Sequence, residues 1–489
     1  MTSITNISVI TNFLWRFLER CGAQAVNLIV SIVLARLLEP SVYGTIALVT
    51  VFTTILQVFV DSGMGTALIQ KKDADNVDFS TVFYFNIITS MLIYLLIYIT
   101  APRIAFFYKL SELTPIIRVL SVTILIAGIR NIQQAYVSRN MIFKKFFYSN
   151  LLGIIGSAII GIYLAYTGYG IWALVWQNIT NVALGTLVLW ITVDWRPTWN
   201  FSITKLKNLF SFGWKMLVSA LIDTVYKNLR SLIIGKVYSK EDLAFYDRGN
   251  LFPHAMVNNL NSSIDSVLLP VLSNVQNNKA RVKAMTRRSI STSVYFMAPC
   301  MAGLATCAEP IIKLFLTEKW LPCVFFLRIF CFTYCFWPIH TANLNAIKAL
   351  GRSDLFLKLE IYKKIVGLIA LFATVWISVK AMAYSLLITS IIGQVINAWP
   401  NKSLLNYSYL DQLRDIFPSL FLATFMGSSV YSLNFLQIET IPLLCLQIIA
   451  GILIYVIGSK LLHIETFDYL ITTITTFLKS RKSSKEVTQ

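Results

Sequence analysis

Charged, amide and hydroxyl side chains recur at intervals of three and four residues in four stretches of the sequence that are otherwise apolar. This spacing places side chains along one face of an α-helix. The four polar stripes comprise Arg16, Glu19, Arg20, Gln24, Asn27 and Ser31; Thr50, Thr53, Thr54, Gln57 and Asp61; Lys215, Ser219, Asp223, Lys227 and Arg230; and Asn250, His254, Asn258, Asn261 and Asp265.

The stripes are suited to binding an anionic ligand. Arginine donates paired hydrogen bonds to phosphate or carboxylate oxygens, and lysine adds a compact positive charge. When Arg130 and Arg248 are counted with the stripes, the cations slightly outnumber the carboxylates. The carboxylates are Glu19, Asp61, Asp223, Asp247 and Asp265. The predicted substrate-binding residues are Arg16, Arg20, Arg130, Lys215, Lys227, Arg230, Arg248 and Asn258.

A structural interpretation stays open for many of these charges. Asp223 and Lys227 are four residues apart and can form an ion pair on one helix, and Glu19 can pair with Arg16. Other cations lie close enough to a membrane surface for their side chains to extend to it. These are Arg20, Arg118, Lys215, Lys313, Lys363, Lys364 and Lys460.

The elements that must position the stripes are membrane-spanning helices. Of the 489 residues, 56% are hydrophobic and only 13% are charged, and a span needs about 20 mostly apolar residues. Apolar windows predict fourteen spans, at 13–35, 43–69, 80–101, 115–138, 147–166, 170–192, 209–235, 243–270, 290–316, 321–347, 359–379, 381–400, 415–434 and 440–462. The spans at 209–235 and 243–270 are polar enough for a hydropathy plot alone to miss them.

The polar stripes lie on spans 1, 2, 7 and 8. A charge near the centre of a bilayer costs about 2.5–3.5 kcal/mol, so we expect these faces to meet water or one another. The four spans hold equivalent places in two halves of the chain, and we therefore predict that they line one central cavity.

Two sequence pairs indicate that the chain repeats itself in one direction. "LARLLEPSVYGTIAL" (34–48) matches "IGKVYSKEDLAFYDR" (234–248) at an offset of 200, and "SRNMIFKK" (138–145) matches "GRSDLFLK" (351–358). Parallel repeats place a substrate path between the halves. The predicted organisation is an N-lobe over 1–194, an interfacial linker over 195–208, a C-lobe over 209–402, two more spans over 403–464 and a basic tail over 465–489.

The net charge of +19 reports topology rather than nucleic-acid binding. Lys and Arg are about three times as frequent in the predicted inner loops and tail as in the outer loops, which follows the positive-inside rule. Both termini are therefore predicted to be cytoplasmic. No cleavable signal peptide is expected, because the residues before Phe13 carry no charged side chain.

The sequence offers little for catalysis or cofactor binding. Its seven cysteines form no C-x-x-C pair, and its three histidines are isolated. There is no Walker-type phosphate loop, and no histidine and carboxylate converge by their spacing. We expect no metal, no cofactor and no enzymatic activity.

The run "LARLLEPSVYGTIALVTVFTTILQVFVDSGMGTALIQKKD" resembles the start of polysaccharide exporters of the Wzx type, in the multidrug/oligosaccharidyl-lipid/polysaccharide (MOP) flippase superfamily. "LAFYDRGNLF", "LFLTEKWLP" and "GRSDLFLKLEIYKK" resemble later motifs of the branch that contains colanic acid and teichuronic acid exporters. The resemblance covers most of residues 13–400.

The resemblance implies two six-helix lobes plus two C-terminal helices, a MATE-like fold. It implies a flippase that moves undecaprenyl-pyrophosphate-linked oligosaccharide across the bacterial inner membrane by alternating access, with the last two helices shaping a groove for the lipid tail. Arg16, Lys227 and Arg230 would hold the pyrophosphate. The implied coupling residues are Glu19, Asp61 and Asp223.

Two other functions stay open at this point. A multidrug or cation antiporter of the same superfamily would favour an acidic cavity, whereas these stripes lean basic. A membrane polymerase or acyltransferase of glycan assembly would need an acid–base pair on an outer loop. The expected partners are the lipid-linked substrate, membrane lipid, a polysaccharide polymerase and a chain-length regulator, and no nucleic acid.

Overall fold

The computed structural model describes residues 22, 24, 26–61, 63–436, 438–472 and 475–476, and every regular element in that part of the chain is a helix. The cause is general, because an apolar chain in lipid can satisfy its backbone hydrogen bonds internally only as helices or a closed barrel. Three of the predicted site residues, Arg16, Glu19 and Arg20, lie outside the described residues.

Eighteen α-helices are described in chain order. The first nine are α1 (Val26–Leu37), α2 (Pro40–Asp61), α3 (Met64–Gln70), α4 (Asn76–Tyr108), α5 (Leu113–Leu120), α6 (Val122–Arg139), α7 (Phe143–Tyr166), α8 (Ile171–Thr192) and α9 (Ile203–Val237). The rest are α10 (Lys240–Asn274), α11 (Lys279–Thr306), α12 (Ala308–Phe315), α13 (Cys323–Cys335), α14 (Trp337–Ala349), α15 (Ser353–Thr374), α16 (Val379–Leu405), α17 (Tyr409–Ser432) and α18 (Thr440–Leu461).

The helices confirm an all-α polytopic membrane protein. Among the described residues, nine helical segments are long and apolar enough to cross a membrane, and a tenth is added if the bent pair α11–α12 counts as one span. Four further helices, α1, α9, α10 and α15, occupy the remaining predicted positions, so the structure is compatible with fourteen spans. The two most polar of these, α9 and α10, are each 35 residues long.

The chain forms two compact units, one ending at Ala244 and one beginning at Phe245. Within the first unit, α7 packs on α8, α4 on α6, and α9 on α2, α3 and α4. Within the second unit, α11 packs on α17, α15 on α16, and α17 on α18. Helix α9 follows the predicted linker over 195–208 and packs within the first unit. The placement of the lobe boundary at 195–208 stays a prediction.

The repeat at an offset of 200 has the same helix boundaries in both copies. Helix α1 ends at Leu37 and α2 begins at Pro40, while α9 ends at Val237 and α10 begins at Lys240. Gly44 brings the start of α2 directly against the start of α10, because a Cβ added there would lie 1.7 Å from the Lys240 carbonyl oxygen. The backbones could not approach so closely around a larger residue.

The linker over 195–208 is attached to α4 and α6. The Thr198 amide donates to Ser80 Oγ at 2.9 Å, and the Ser202 amide donates to Thr81 Oγ1 at 3.1 Å. Trp195 is buried among α3, α4, α6, α8 and α9, whereas Trp199 is 95% exposed. Only Trp199 therefore has the exposure expected of a side chain in the membrane interface.

The start of α9 is fixed to the start of α4 by an ion pair. Lys205 Nζ lies 2.5 Å from Asp75 Oδ2, and Asp75 forms a capping box with Asp78. The hydrogen bond from Lys205 lowers the pKa of Asp75 to about 2. The polar face of α9 thus begins at a defined point on the first unit.

Four of the predicted spans are each divided between two helices: 43–69 between α2 and α3, 115–138 between α5 and α6, 290–316 between α11 and α12, and 321–347 between α13 and α14. Helices α11 and α12 meet at Cys307 with a bend of 66°. Helices α13 and α14 meet at Phe336, which is followed by Trp337 and Pro338 at the start of α14. Proline lacks the amide that would continue the hydrogen-bond ladder of α13.

Candidate functional site

The charged stripe of α9 is largely exposed on the helix surface. Lys215 is exposed, and the side chains of Lys227 and Asp223 are 68% and 44% exposed. Lys227 Nζ lies 2.7 Å from Asp223 Oδ2, so the ion pair allowed by their spacing is formed. Arg230 is half-buried one turn further on. Such exposed charges on a membrane-length helix are stable only where they meet water.

An open cavity of about 470 Å³, with polar and apolar lining, lies in the first unit where α2, α3, α6 and α9 meet. Asp61, the last residue of α2, lines it and accepts a hydrogen bond of 2.6 Å from Asn131 Nδ2. Gln134 and Ser138 of α6 and Thr224 of α9 also line the cavity. A carboxylate with an amide donor in such a cavity can take up a proton or a monovalent cation.

Three residues of α6 in this cavity were not predicted from the sequence. Asn131, Gln134 and Ser138 follow the spacing of three and four that identified the other stripes. Their side chains are neutral, and only the charged residue Arg130 was a candidate on this span. The signal was therefore present in the spacing of the amides and the hydroxyl.

Arg130 points away from this cavity, into the packing of α6 against α7 and α8. Its Nη2 donates to Asn150 Oδ1 at 3.2 Å, and its Nε is buried without a hydrogen-bond partner among the described residues. An added Cβ at Gly185 would come within 3.8 Å of its Cζ. The structure thus does not bring Arg130 together with Asp61 or with the stripe of α9.

The polar stripe of α10 is mostly used to join α10 to α13 and α14. Three of its five members are hydrogen-bonded within the second unit: Asn250 accepts from Tyr334 at 2.7 Å, Asn261 accepts from Thr341 at 3.2 Å, and Asp265 accepts from Asn345 at 2.9 Å. The His254 ring centroid lies 6.1 Å from that of Tyr334. Polar side chains in membrane helices bond across helix contacts in this way. The expectation that this stripe lines a cavity shared with the other three stays a prediction.

Asn258 and Arg248 of α10 differ in what surrounds them. Asn258 is exposed and makes no hydrogen bond with the described residues. Arg248 is only 9% exposed, and its guanidinium carbon lies 5.7 Å from the ring centroid of the fully buried Trp320. Asn258 therefore stays available for a ligand, while Arg248 is enclosed by the second unit.

An apolar groove lies in the second unit between α11, α17 and α18. Its volume is about 420 Å³, and most of its lining is aliphatic or aromatic. Pro299, Gly303 and Leu304 line it from α11, while Ile448, Gly451 and Ile452 line it from α18. Such a groove accepts a hydrocarbon chain rather than a polar ligand.

The family model described as "Polysaccharide biosynthesis protein" matches residues 33–325, which is more than half of the chain. The chain belongs to this family. The teichuronic acid biosynthesis protein TuaB of Bacillus subtilis (strain 168) is 27% identical over 359 residues, covering 71% of this chain and 72% of the relative. The lipopolysaccharide biosynthesis protein WzxC of Escherichia coli (strain K12) is 18% identical, covering 71% of each chain.

Solved structures share the fold. The lipid II flippase MurJ, in an inward closed conformation, superposes with a TM-score of 0.75 at 15% identity, covering 93% of this chain and 99% of MurJ. An inward-facing multidrug resistance MATE family transporter of the MOP superfamily gives a TM-score of 0.63 at 15% identity, covering 79% and 96%. These structural matches confirm the predicted MATE-like fold. The family model and the sequence relatives confirm the resemblance to the polysaccharide branch.

Proposed function

We propose that this protein is a flippase that moves a lipid-linked oligosaccharide, carried on a polyprenyl pyrophosphate, across the bacterial inner membrane for polysaccharide biosynthesis. It works by alternating access, in which the substrate site opens to one side of the membrane at a time. The supporting observation is the presence, in one membrane protein of this family, of an exposed cationic stripe on α9 and an apolar groove between α11, α17 and α18.

The two features match the two ends of an amphiphile. Lys215, Lys227 and Arg230 of α9 provide donors for phosphate oxygens, while the groove accepts part of the polyprenyl chain. Arg16 and Arg20 are proposed to extend the cationic surface, and Asn258 to bond with sugar hydroxyls. Arg130 and Arg248 act indirectly, by holding the helices on which the exposed residues lie.

The membrane potential can supply much of the driving force. A pyrophosphate head group carries about two negative charges, and moving them outward across ~150 mV, inside negative, releases roughly 7 kcal/mol. Asp61, in its cavity with Asn131, is proposed to couple transport to a proton or monovalent cation gradient, with Asp223 and Glu19 as further coupling residues. We propose that both termini are cytoplasmic and that the protein acts without covalent catalysis.

A reconstitution experiment tests the proposal. The full-length protein in liposomes should translocate a fluorescent polyprenyl-pyrophosphate oligosaccharide, measured as head groups that become accessible to an added quencher or glycosidase. The same liposomes should not accumulate or expel a cationic dye under a proton or sodium gradient. Dye transport without head-group translocation would instead identify a cation antiporter, and covalent change of the glycan would identify an enzyme.

A further inference from the structure

A second pocket in the second unit is lined by three arginines that no part of the transport proposal uses. Helices α11 and α17 and the helical turns at 465–472 enclose a volume of about 420 Å³. Arg287 and Arg288 line it from α11, and Arg414 lines it from α17. Ser291 and Thr292 add two hydroxyl groups one turn further along α11.

Arg287 is occupied by carboxylates of the pocket itself. Its Nε lies 2.9 Å from Asp415 Oδ1, and its Nη2 lies 3.2 Å from Glu465 Oε2. Asp415 also accepts a hydrogen bond of 2.7 Å from the Tyr407 hydroxyl. One arginine therefore bridges both acidic side chains of the pocket. The three arginines and two carboxylates together leave the pocket lining with one net positive charge.

Arg288 and Arg414 are the two remaining arginines of the pocket. The Arg288 guanidinium carbon lies 3.8 Å from the ring centroid of Tyr469, and stacking of this kind leaves the N–H groups in the guanidinium plane free to donate. Neither arginine is within 4.0 Å of a carboxylate among the described residues. Both side chains are exposed. Two forked donors beside two hydroxyls are the groups that bind phosphate oxygens.

The pocket and the apolar groove are separate but lie along two of the same helices, α11 and α17. On α11, Arg288 precedes Cys300 of the groove by twelve residues, which corresponds to about 18 Å along the helix axis. Buried contacts close the helices between them: Tyr295 donates to Ser459 Oγ at 2.9 Å, and Tyr455 donates to the Tyr295 carbonyl at 2.9 Å. The charged pocket near the start of α11 and the apolar groove further along it follow the order of a lipid's head group and hydrocarbon chains.

We propose that this pocket binds the phosphate of a membrane lipid, with Arg288 and Arg414 as its ligands. The basic residues in the first turns of α11 and in the tail place the pocket at the cytoplasmic surface in the predicted topology. Basic pockets between membrane helices on that side bind anionic lipid head groups. The phosphate belongs either to an anionic phospholipid of the inner leaflet or to the polyprenyl-linked substrate before it enters the transport path.

Lipid binding to the purified full-length protein tests this inference. Native mass spectrometry would count the phosphatidylglycerol, undecaprenyl phosphate or phosphatidylcholine molecules retained at equal added concentrations. Arg288→Gln with Arg414→Gln should weaken retention of the phosphate-bearing anionic lipids by about tenfold or more, since each lost charge-assisted hydrogen bond is worth a large fraction of that factor. Arg288→Lys with Arg414→Lys should retain an intermediate amount, because lysine keeps the charge but not the fork.

The matched control is Lys279→Gln with Arg281→Gln, which removes the same charge from exposed positions at the start of α11, outside the pocket. Preferential retention of phosphatidylglycerol identifies the phospholipid as the ligand, and preferential retention of undecaprenyl phosphate identifies the substrate lipid. Competition by millimolar inorganic phosphate would show that the head group alone is recognised. Equal loss in the control, equal retention of phosphatidylcholine, or unchanged binding by a folded pocket variant would overturn the inference. Because the experiment measures lipid binding to this pocket, the lipid-site inference can fail while the transport proposal, tested by head-group translocation, succeeds.

Discussion

Helices α9 and α10 have the same length and similar polar stripes, but they use those stripes differently. Asn250, Asn261 and Asp265 of α10 are hydrogen-bonded to residues of α13 and α14. On α9, the ion pair of Lys227 with Asp223 is internal to the helix and leaves both side chains well exposed. A polar stripe in a membrane helix therefore marks a face, and only the neighbouring helices decide whether that face is structural or binds a ligand.

The largest expected effect comes from reversing charge on α9. Lys227→Glu combined with Arg230→Glu should reduce head-group translocation by about a hundredfold or more, because charge-assisted hydrogen bonds are worth about 1.5–3 kcal/mol each and the new charges repel phosphate. The measurement is translocation in liposomes at equal protein density. Lys207→Glu, an exposed change on the same helix, is the control. Normal transport by the double variant would remove the assigned role of α9.

A second prediction compares two carboxylates that each accept from an asparagine. Asp61→Asn should lower gradient-stimulated transport by about tenfold, the size expected when a positioned proton or cation site is lost, because Asp61 lies in the cavity of the first unit. Asp265→Asn should leave that stimulation intact, since Asp265 joins α10 to Asn345. The assay applies a proton or sodium gradient at a fixed membrane potential. If only Asp265→Asn lost the stimulation by the gradient, Asp265 rather than Asp61 would be the coupling residue.

A smaller effect is expected on stability. Asn345→Leu removes the donor to Asp265 at a position only 1% exposed, and we expect it to lower the free energy of unfolding by about 1 kcal/mol. Asn258→Leu, on the same face of α10 but without a partner among the described residues, should leave stability unchanged. Thermal unfolding in detergent would measure both variants. An equal fall in Tm for the two variants would show that the hydrogen bond between Asp265 and Asn345 does not stabilise the packing of α10 on α14.

The smallest effect concerns the ion pair at the start of α9. Lys205 lowers the pKa of Asp75 from 3.8 to about 2, so the pair contributes its full stability above pH 3.8 and loses it as the pH falls through about 2. The pair is exposed, so Asp75→Asn should cause only a small fall in Tm at neutral pH. That difference should narrow as the pH is lowered from 4 to 2. A difference that widened with acid would exclude this pair as its cause.

The helices and the first repeat were predictable from sequence, because apolar run length and charge placement determine where a chain can cross a membrane. The partners of the polar stripes were not. Asn345 lies 80 residues after Asp265, and spacing along one helix carries no information about a contact with a distant one. The buried network of Asn343, Asn401 and Gln412 was missed for the same reason, since its hydrogen bonds cross 58 and 69 residues of sequence.

The first-unit cavity shows a different limit. Charged residues identified Asp61 as a candidate. The amide that bonds to it, Asn131, carries no charge and was not predicted, although it directly follows the candidate Arg130. Arg130 was an anion-binding candidate because arginine suits phosphate. The structure places it against Asn150 instead, where the packing of α7 and α8 determines its surroundings.

The close approach at Gly44 affects how mutagenesis of this protein should be interpreted. Even a methyl group there would overlap the Lys240 carbonyl, so alanine at position 44 forces α2 and α10 apart without touching any ligand. A systematic alanine screen scored by glycan export would rank this position beside the transport residues. Measuring folding alongside export would distinguish Gly44, which is needed for the close approach of two helices, from charged residues that act in transport.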